Sequence, residues 1–197
     1  MDNKNSIINP LSIVNILTLR YDPHLKPNLP IKTWNDFESN TESVNIQSIE
    51  NSITNYIKQK LENFDGQKVS IALSAGVDST LVLSLVRKIK PDIDIQAVSI
   101  KFADSVDETG DAAKIADTFN AEHHIINLEN YLSELPKAIS IIKMPFWDLH
   151  WYYVVKKSQT LSKILISGDG GDELFGGYTF RYQKFLSLTS ETSTPLE

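Results

Sequence analysis

Short apolar segments alternate with longer helix-like segments between residues 68 and 167, and this alternation constrains the fold more than any other feature of the chain. Apolar runs rich in Val and Ile predict strands that are buried on both faces. Strands joined through helices pair in parallel, so we expect an α/β fold, a parallel sheet with helices on both faces and right-handed crossovers. The predicted strands are 68–73, 93–100, 123–128 and 163–167, and the predicted helices are 78–89, 106–119, 129–142 and 148–158.

The segments on either side of this alternation predict an arm, a further helix and a tail. The N-terminal segment is rich in Asn, Pro and Lys, and the C-terminal segment is polar. From Ile46 to Leu61, apolar residues recur at steps of three and four, which predicts one face of a helix with Thr41 or Ser43 as its cap. We expect three parts: an irregular arm (1–43), a domain (44–183) and a disordered tail (184–197).

Composition and charge exclude several classes of protein. The chain has 197 residues, enough for one domain with a core, and no cysteine, which excludes disulfides, thiolate zinc sites and cysteine nucleophiles. A net charge of −6 without a long basic run argues against nucleic acid as a partner. No apolar run reaches the roughly 20 residues of a membrane span, and the N-terminus lacks the apolar core of a signal peptide. We therefore expect a cytoplasmic protein with no membrane partner.

The loop after the first predicted strand, LSAGVDST at 73–80, has the composition of a phosphate site. Ligands of parallel sheets bind beyond the carboxyl ends of the strands, where the next helix presents free N–H groups. Ser74 and Ser79 add hydroxyl groups, and Gly76 permits a tight backbone path. A carboxylate beside phosphate would repel it unless the carboxylate binds magnesium or caps the helix. Both of these roles stay open for Asp78. No Lys follows the loop as a Walker sequence requires.

The loop after the last predicted strand, SGDGGDELFGGY at 167–178, combines glycines with acids. Asp169, Asp172 and Glu173 lie so close together that a bound cation would relieve their repulsion. One helical turn would aim Asp169 and Asp172 in the same direction. The alternative is an acidic helix start, which the helix dipole favours but which leaves the glycines unexplained. Both loops lie at one edge of the sheet, and together they suit magnesium-assisted attack on a nucleotide phosphorus with pyrophosphate leaving.

These segments resemble a known family. LSAGVDST resembles the pyrophosphate loop S-G-G-x-D-S of the N-type ATP pyrophosphatases, and SGDGGDELFGGY resembles the second signature of the asparagine synthetases, a family that includes the β-lactam synthetases. QAVSIKFADSVDE, AEHHIINL and MPFWDLHWYYV lie between them in the family's order. The resemblance covers about residues 45–183 and implies a Rossmann-like ATP pyrophosphatase (PP-loop) domain.

The resemblance also implies roles for individual residues. ATP would be the substrate, held with Mg²⁺, and the catalytic acid position would be Asp169. The metal ligands would be Asp78 and Asp172. The implied ATP and pyrophosphate contacts are Leu73, Ser74, Gly76, Val77, Asp78, Ser79, Ile100, Ser167 and Gly168, of which Leu73, Ile100, Ser167 and Gly168 would contact adenine and ribose.

The family's reaction activates aspartate as β-aspartyl-AMP with release of pyrophosphate, after which ammonia displaces AMP. Ala75 replaces the usual second glycine of the first loop, and Lys101 stands where a small residue is common. A glutaminase domain and the helical region that follows the second signature in the family are missing from the chain. The resemblance therefore implies that ammonia arrives free or from a separate glutaminase. It leaves three interpretations of the chain open: a fragment, a natural short member, or a piece completed by a partner subunit.

Other interpretations of the same residues remain. The chain could be a non-catalytic or partner-completed ATP-binding module, or a related ligase acting on a different acid. A serine hydrolase, with ALSAG as its nucleophile elbow and Asp148 and His150 as partners, would leave the second loop unexplained. His123 and His124 point to opposite faces of a strand, so we expect structural roles for both. The aromatic residues Trp147, Trp151, Tyr152 and Tyr153 are expected to pack in the core.

Overall fold

The computed structural model describes residues 9–19, 22–24, 45–62, 64, 66–102, 107–143 and 148–191. Its centre is a four-stranded parallel sheet in the order β3-β2-β1-β4. The strands are β1 Lys68–Ala72, β2 Asp94–Phe102, β3 Glu122–Leu128 and β4 Leu165–Ile166. The helices are α1 Pro10–Leu19, α2 Ile46–Glu62, α3 Val77–Ile89, α4 Thr109–Thr118, α5 Leu135–Ile142, α6 His150–Ser158, α7 Gly171–Phe175 and α8 Thr179–Glu191.

Helices cover both faces of the sheet, as the sequence predicts. On one face, α2, α3 and α4 pack on β1 and β2 around the fully buried Val69, Ile71 and Leu83. On the other face, α5 and α6 bury Ala138 and Leu149 against β2 and β3. The central strands β1 and β2 are largely buried, as expected for strands covered on both faces, whereas the edge strand β3 keeps exposed positions such as Ile125.

The strand order places a switch point beside β1. The chain runs from β1 through β2 to β3 in one direction, and β4 then pairs on the other side of β1. Connections diverge at such a point, which leaves a crevice beyond the carboxyl ends of the strands. The loops after β1 and β4 flank that crevice, so the topology brings the two sequence signatures together.

Several boundaries differ from those predicted. The helix predicted for 129–142 begins at Leu135, because a turn precedes Pro136 and proline is tolerated only in the first turn of a helix. A helix, α1, lies inside the predicted irregular arm. The candidate caps Thr41 and Ser43 lie outside the described residues, and α2 is capped instead by Asn45, whose Oδ1 accepts the N–H of Ser48 at 2.7 Å.

The predicted disordered tail 184–197 differs from the structure over its first part. Helix α8 continues to Glu191, and residues 192–197 lie outside the described residues. Gln183, Lys184 and Leu186 are good helix formers, and the polar composition of the segment conceals this propensity. Among the described helices, none combines the length and the apolar character that crossing a membrane would need.

Candidate functional site

A cavity of about 380 Å³ lies at the carboxyl ends of β1, β2 and β4. Residues that the sequence identifies line it from both loops and from β2: Leu73, Ser74, Asp78, Ser79, Ile100, Ser167, Gly168 and Asp169. Three of the expected contacts are not part of the lining: Gly76, Val77 and Asp172. Val77 is 82% exposed, since it lies on the outer side of the first turn of α3.

The first loop is held by its own serine hydroxyls. Ser79, only 7% exposed, accepts the N–H of Ser74 at 3.1 Å, and its Oγ lies 3.0 Å from the Oγ of Ser74. Ser74 Oγ in turn accepts the N–H of Gly76 at 3.1 Å. The hydroxyls expected to face phosphate therefore first fix the backbone turn from which α3 starts.

Gly76 has ordinary geometry, contrary to the tight path expected there. Its φ of −76° and ψ of 159° suit any residue. A Cβ at this position would meet only the Oγ of Ser74, at 3.1 Å. The turn does not require glycine at this position, because hydrogen bonds of the Ser74 and Ser79 hydroxyls hold its shape.

The second loop presses against the first, and here glycine is required. A Cβ on Gly168 would lie 2.8 Å from the carbonyl carbon of Asp78 and 2.9 Å from the nitrogen of Ser79. A Cβ on Gly171 would lie 2.5 Å from the carboxyl carbon of Asp78. The absence of side chains at these two positions lets the loop after β4 reach the start of α3.

The three acids of the proposed chemistry occupy different surroundings. The Asp78 carboxylate faces the cavity and lies against Gly171. Asp169 lies in the turn before α7, so it does not share a helical turn with Asp172 as expected. The Asp172 carboxylate lies against Gly177, where a Cβ would overlap it.

Asp78 and Asp172, the expected metal ligands, offer carboxylates from two different loops. This donor type suits Mg²⁺, which is commonly held by one or two carboxylates together with substrate phosphates. In the described part of the chain, no group of three or more His, Asp or Glu side chains is close enough to hold a metal alone. The donor chemistry therefore fits a cation that arrives with phosphate.

Partial desolvation raises the pKa of the Asp169 carboxyl above its usual value. A hydrogen bond with Ser167 and the nearby His150 act in the opposite direction, and the charges of Asp148 and Glu173 raise the pKa further. The residue as a whole is exposed, and it is one of the residues that line the cavity. A carboxylate with a raised pKa is a better proton acceptor than an ordinary Asp.

A buried hydrogen-bond chain fixes the end of β1 under the cavity. Ser99 Oγ donates to the carbonyl of Leu73 at 2.7 Å, and His123 Nε2 lies 2.8 Å from Ser99 Oγ. Because Ser99 has given its one proton to Leu73, His123 must donate from Nε2. Burial lowers the pKa of His123, which favours this neutral form. His124 bonds separately to Gln96 at 2.7 Å, so the two histidines have the separate structural roles expected.

Lys101, the unusual residue at the end of β2, forms an ion pair at the rim of the cavity. Its Nζ lies 2.5 Å from the Oδ2 of Asp107. Asp107 Oδ1 also accepts the N–H of Thr109 at 3.0 Å, at the start of α4. The bond with Lys101 is the largest cause that lowers the pKa of Asp107 to about 2. The pair thus holds the start of α4, whose Thr109 lines the cavity.

Other lining residues were not identified from the sequence. Trp151, predicted to pack in the core, is half-buried and lines the cavity with Val154 and the neighbouring His150. Tyr153 does pack in the core, and Trp147 lies outside the described residues. Glu108, at the start of α4, also lines the cavity. A spacing of three places Trp151 and Val154 on one helix face, but only the packing of α6 on β2 shows what that face covers.

The serine hydrolase arrangement does not form between these residues. The Ser74 hydroxyl pairs with Ser79, and within the described ranges no contact of Ser74 with an imidazole is recorded. Asp148 is not a lining residue, but its Oδ1 lies 2.6 Å from His150 Nδ1.

Comparison with known proteins identifies relatives of the chain. A family model described as asparagine synthase matches residues 58–195. The glutamine-hydrolysing asparagine synthetase 1 of Bacillus subtilis is 31% identical over 121 residues, which are 59% of this chain and 19% of that protein. The human glutamine-hydrolysing asparagine synthetase is 27% identical over 163 residues, which are 76% of this chain and 28% of that protein. The chain thus spans about a fifth to somewhat more than a quarter of the length of these curated relatives.

Solved structures agree on the fold. NMN synthetase from Francisella tularensis superposes with a TM-score of 0.51 at 22% identity, covering 69% of this chain and 59% of that one. The glutamine-dependent NAD⁺ synthetase from Acinetobacter baumannii, solved with ADP, superposes with a TM-score of 0.50 at 18% identity, covering 72% and 29%. The predicted Rossmann-like ATP pyrophosphatase fold is therefore confirmed.

Proposed function

Because the chain belongs to the asparagine synthase family, we propose that it is an ATP-binding ligase module that activates a carboxylic acid for amide formation. One observation carries the proposal. The loops after β1 and β4, more than 80 residues apart in sequence, meet at one cavity, and Ser74, Asp78, Ser167, Gly168 and Asp169 all line it.

The lining of the cavity includes both apolar residues and groups suited to phosphate. Leu73, Ile100 and Trp151 offer apolar and aromatic surface for adenine, and Ser167 and Gly168 present polar backbone for ribose. The first N–H groups of α3, a helix of 13 residues, lack intrahelical acceptors and carry the positive end of the helix dipole. A pyrophosphate group would bind there beside Ser74 and Ser79.

Asp78 and Asp172 would hold Mg²⁺, which would supply positive charge to the leaving pyrophosphate. The backbone of Asp172 adjoins Gly171, against which the Asp78 carboxylate lies. Asp169, with its raised pKa, would accept a proton from the attacking amine.

The acceptor acid of the proposal is aspartate. Its β-carboxylate would attack the α-phosphorus of ATP to give β-aspartyl-AMP and pyrophosphate. Ammonia, free or delivered by a separate glutaminase, would then displace AMP. In this proposal, a further subunit or segment would complete the acid-binding side.

The direct test is pyrophosphate release from ATP, measured with and without aspartate and ammonia. We expect release that depends on aspartate, and AMP release that depends on ammonia. Tight ATP binding without turnover would instead identify a non-catalytic module, and ester hydrolysis without ATP would contradict the proposal.

The metal assignment has its own test. Asp78→Asn and Asp172→Asn should each weaken the Mg²⁺-dependent part of ATP binding by about tenfold or more, since even groups that only support metal ligands change metal affinity by that factor. Binding without Mg²⁺ should change little. Calorimetric titration of ATP with and without Mg²⁺ measures the difference, and unchanged Mg²⁺ dependence in both variants would remove the proposed metal site.

A further inference from the structure

The hydrogen-bond ladder between β1 and β2 ends at the cavity. Its last paired residues are Ala72 and Val98, and its last bond runs from the N–H of Leu73 to the carbonyl of Val98 at 2.9 Å. In a parallel ladder the next bond, here called the Leu73–Ile100 rung, would run from the N–H of Ile100 to the carbonyl of Leu73. That bond is not found among the described residues. Because Leu73, Ser99 and Ile100 line the cavity, the two strands stop pairing beside it.

The backbone N–H of Ile100 points toward β1 and not toward β3. In a parallel sheet, alternate residues of a strand direct their backbone groups to the same neighbouring strand. The N–H of Asp94 donates to the carbonyl of Gln67, just before β1, at 3.0 Å, and the carbonyl of Val98 accepts from Leu73. The even-numbered residues of β2 therefore face β1, and Ile100 is one of them. Within the described ranges, no acceptor for its N–H is recorded on that side.

The carbonyl of Leu73 is satisfied by a side chain instead of by this amide. Ser99 Oγ donates to it at 2.7 Å, and Ser99 is only 4% exposed. A buried carbonyl without a donor is costly, and the hydroxyl removes this cost, so the rung does not have to form. The N–H of Ile100 is thus left as a backbone donor at the gap between the two strands.

His123 fixes the direction of the Ser99 hydroxyl. Its Nε2 lies 2.8 Å from Ser99 Oγ. A serine hydroxyl has one proton, so a donor at Nε2 of His123 leaves that proton for the carbonyl of Leu73. His123 lies on β3 in register with Ala97 of β2, so the sheet itself holds the ring in place. His123 is not a lining residue, and its effect on a ligand would therefore pass through Ser99.

We propose that Ser99 and His123 are positioning residues that keep the Leu73–Ile100 rung open, so that the N–H of Ile100 stays available to an acceptor atom of a nucleoside. The inference rests on the proposed function, since it assumes a nucleotide in this cavity. The resemblance to the asparagine synthetases implies a contact of Ile100 with adenine or ribose. The inference adds the two side chains that free its amide, and both lie outside the two sequence signatures.

The test is NMR of the ¹⁵N,¹³C-labelled protein without ligand. A coupling through the hydrogen bond from the Leu73 nitrogen to the Val98 carbonyl carbon should be present, and the corresponding coupling from Ile100 to Leu73 should be absent. In Ser99→Ala the carbonyl of Leu73 loses its donor, so we expect the N–H of Ile100 to replace it. The coupling from Ile100 to Leu73 should then appear, and amide hydrogen exchange of Ile100 should slow by about tenfold or more.

Calorimetric titration with adenosine measures the consequence for binding. A closed rung in Ser99→Ala should lower adenosine affinity by about twofold to tenfold, the usual range for a hydrogen bond between uncharged groups. His123→Phe keeps a ring but loses the donor, and it should change exchange and affinity in the same direction. His123→Gln places an amide nitrogen near the position of Nε2 and should restore both quantities. Ser99→Thr keeps the hydroxyl and should keep the rung open.

Ser70→Ala is the matched control. It removes a fully buried hydroxyl of the same sheet, which lies 2.8 Å from Ser162 Oγ, and Ser70 is not a lining residue. The thermal midpoint should fall, while the hydrogen exchange of Ile100 and the affinity for adenosine stay unchanged. If Ser99→Ala does not fold, His123→Phe and the couplings of the unchanged protein decide the question.

The outcomes separate this inference from the proposed function. A coupling from Ile100 to Leu73 in the unchanged protein, or its absence from folded Ser99→Ala, would overturn the inference and leave the ATP site intact. A closed rung with unchanged adenosine affinity would overturn the ligand role of the Ile100 amide. Failure of the unchanged protein to bind any nucleotide would overturn the proposed function together with that ligand role, whereas the couplings would still show whether Ser99 keeps the rung open.

Discussion

The two loops that meet at the cavity are held in different ways. The loop after β1 fixes itself, because Ser79 and Ser74 bond to each other and to the loop backbone. The loop after β4 begins α7 without a side-chain cap, and Gly170 there has a φ of 93°. Its place depends on the close approach of Gly168 and Gly171 to Asp78. One loop is thus specified by the side chains it has, and the other by side chains that it lacks.

The largest expected effect tests the chemistry assigned to the second loop. Asp169→Asn should lower turnover by about a hundredfold to ten-thousandfold, the usual contribution of a general base, while ATP binding is retained. Steady-state kinetics and calorimetry measure the two quantities. Glu173→Gln, an exposed neighbour whose carboxylate accepts the hydroxyl of Tyr178 at 2.9 Å, is the matched control and should keep its activity. Equal losses of turnover in both variants would mean that the site depends on negative charge in this loop and not on proton transfer to Asp169.

The same residue predicts a pH dependence. Because desolvation raises the pKa of Asp169, the carboxyl takes up a proton at higher pH than an ordinary Asp. Activity should therefore decline as pH falls through that raised pKa. The folded protein holds this proton more tightly than the unfolded chain, so the burial of Asp169 costs stability above the raised pKa. This cost shrinks as pH falls through the raised pKa and is gone only below the pKa of the unfolded chain. A rate that is insensitive to pH on the acid side would argue against Asp169 as the base.

The next effect tests the close approach of the loops. Gly168→Ala places a Cβ against the backbone of Asp78 and Ser79, and overpacking of this kind costs about 1–3 kcal/mol of the free energy of unfolding. ATP binding should weaken with it, because the loops must separate. Gly110→Ala is the control, since nothing lies within 4 Å of that position in α4, and it should raise stability by about 0.5–1 kcal/mol. Denaturant titration measures both changes, and a neutral Gly168→Ala would show that the second loop is not constrained in this way.

A smaller loss is expected from the hydroxyl network of the first loop. Ser79→Ala leaves the N–H of Ser74 without its acceptor, which costs about 1–2 kcal/mol of the free energy of unfolding. ATP affinity should fall as well, because the turn of the first loop is displaced. The exposed hydroxyl of Ser84, which donates only to the carbonyl of Leu81, serves as the control, and Ser84→Ala should be nearly neutral. Equal effects of the two substitutions would mean that the Ser74–Ser79 network does not hold the loop.

The smallest effect is expected at the glycine of the first loop. Gly76→Ala should change the free energy of unfolding by less than about 0.5 kcal/mol, because its φ is ordinary and Ser74 Oγ can give way by a few tenths of an ångström. Replacement of glycine by alanine is thus expected to be nearly neutral in the first loop and destabilising in the second. A loss as large as that of Gly168→Ala would show that the first loop also depends on close backbone approach.

Much of the fold was predictable because its signals are local. Each strand contains a short apolar stretch, and each neighbouring helix has its own periodicity, so the elements from β1 to β4 follow from the sequence. The start of α5 was misplaced because a turn preceding Pro136 resembles helix in composition. Helix α8 was missed because its polar residues suggest disorder although several favour helix.

Much of the candidate site was predictable for a similar reason, since its loops immediately follow strands. What could not be predicted is the direction of side chains. Asp172 lies against Gly177 rather than lining the cavity, and Trp151 lines the cavity rather than the core. Both outcomes depend on how α6 and α7 pack, and packing involves residues distant in sequence.

The amino-acid order alone determined the strand–helix alternation, the two signature loops and the edge of the sheet at which they meet, because each follows from short-range pattern and from the geometry of parallel strands. Only the tertiary structure decided that Gly168 rather than Gly76 needs to be glycine, and that His150, which pairs with Asp148, lines the cavity. The physical reason is that contacts between distant segments depend on how whole helices and strands pack. A local pattern of residues carries no information about that packing.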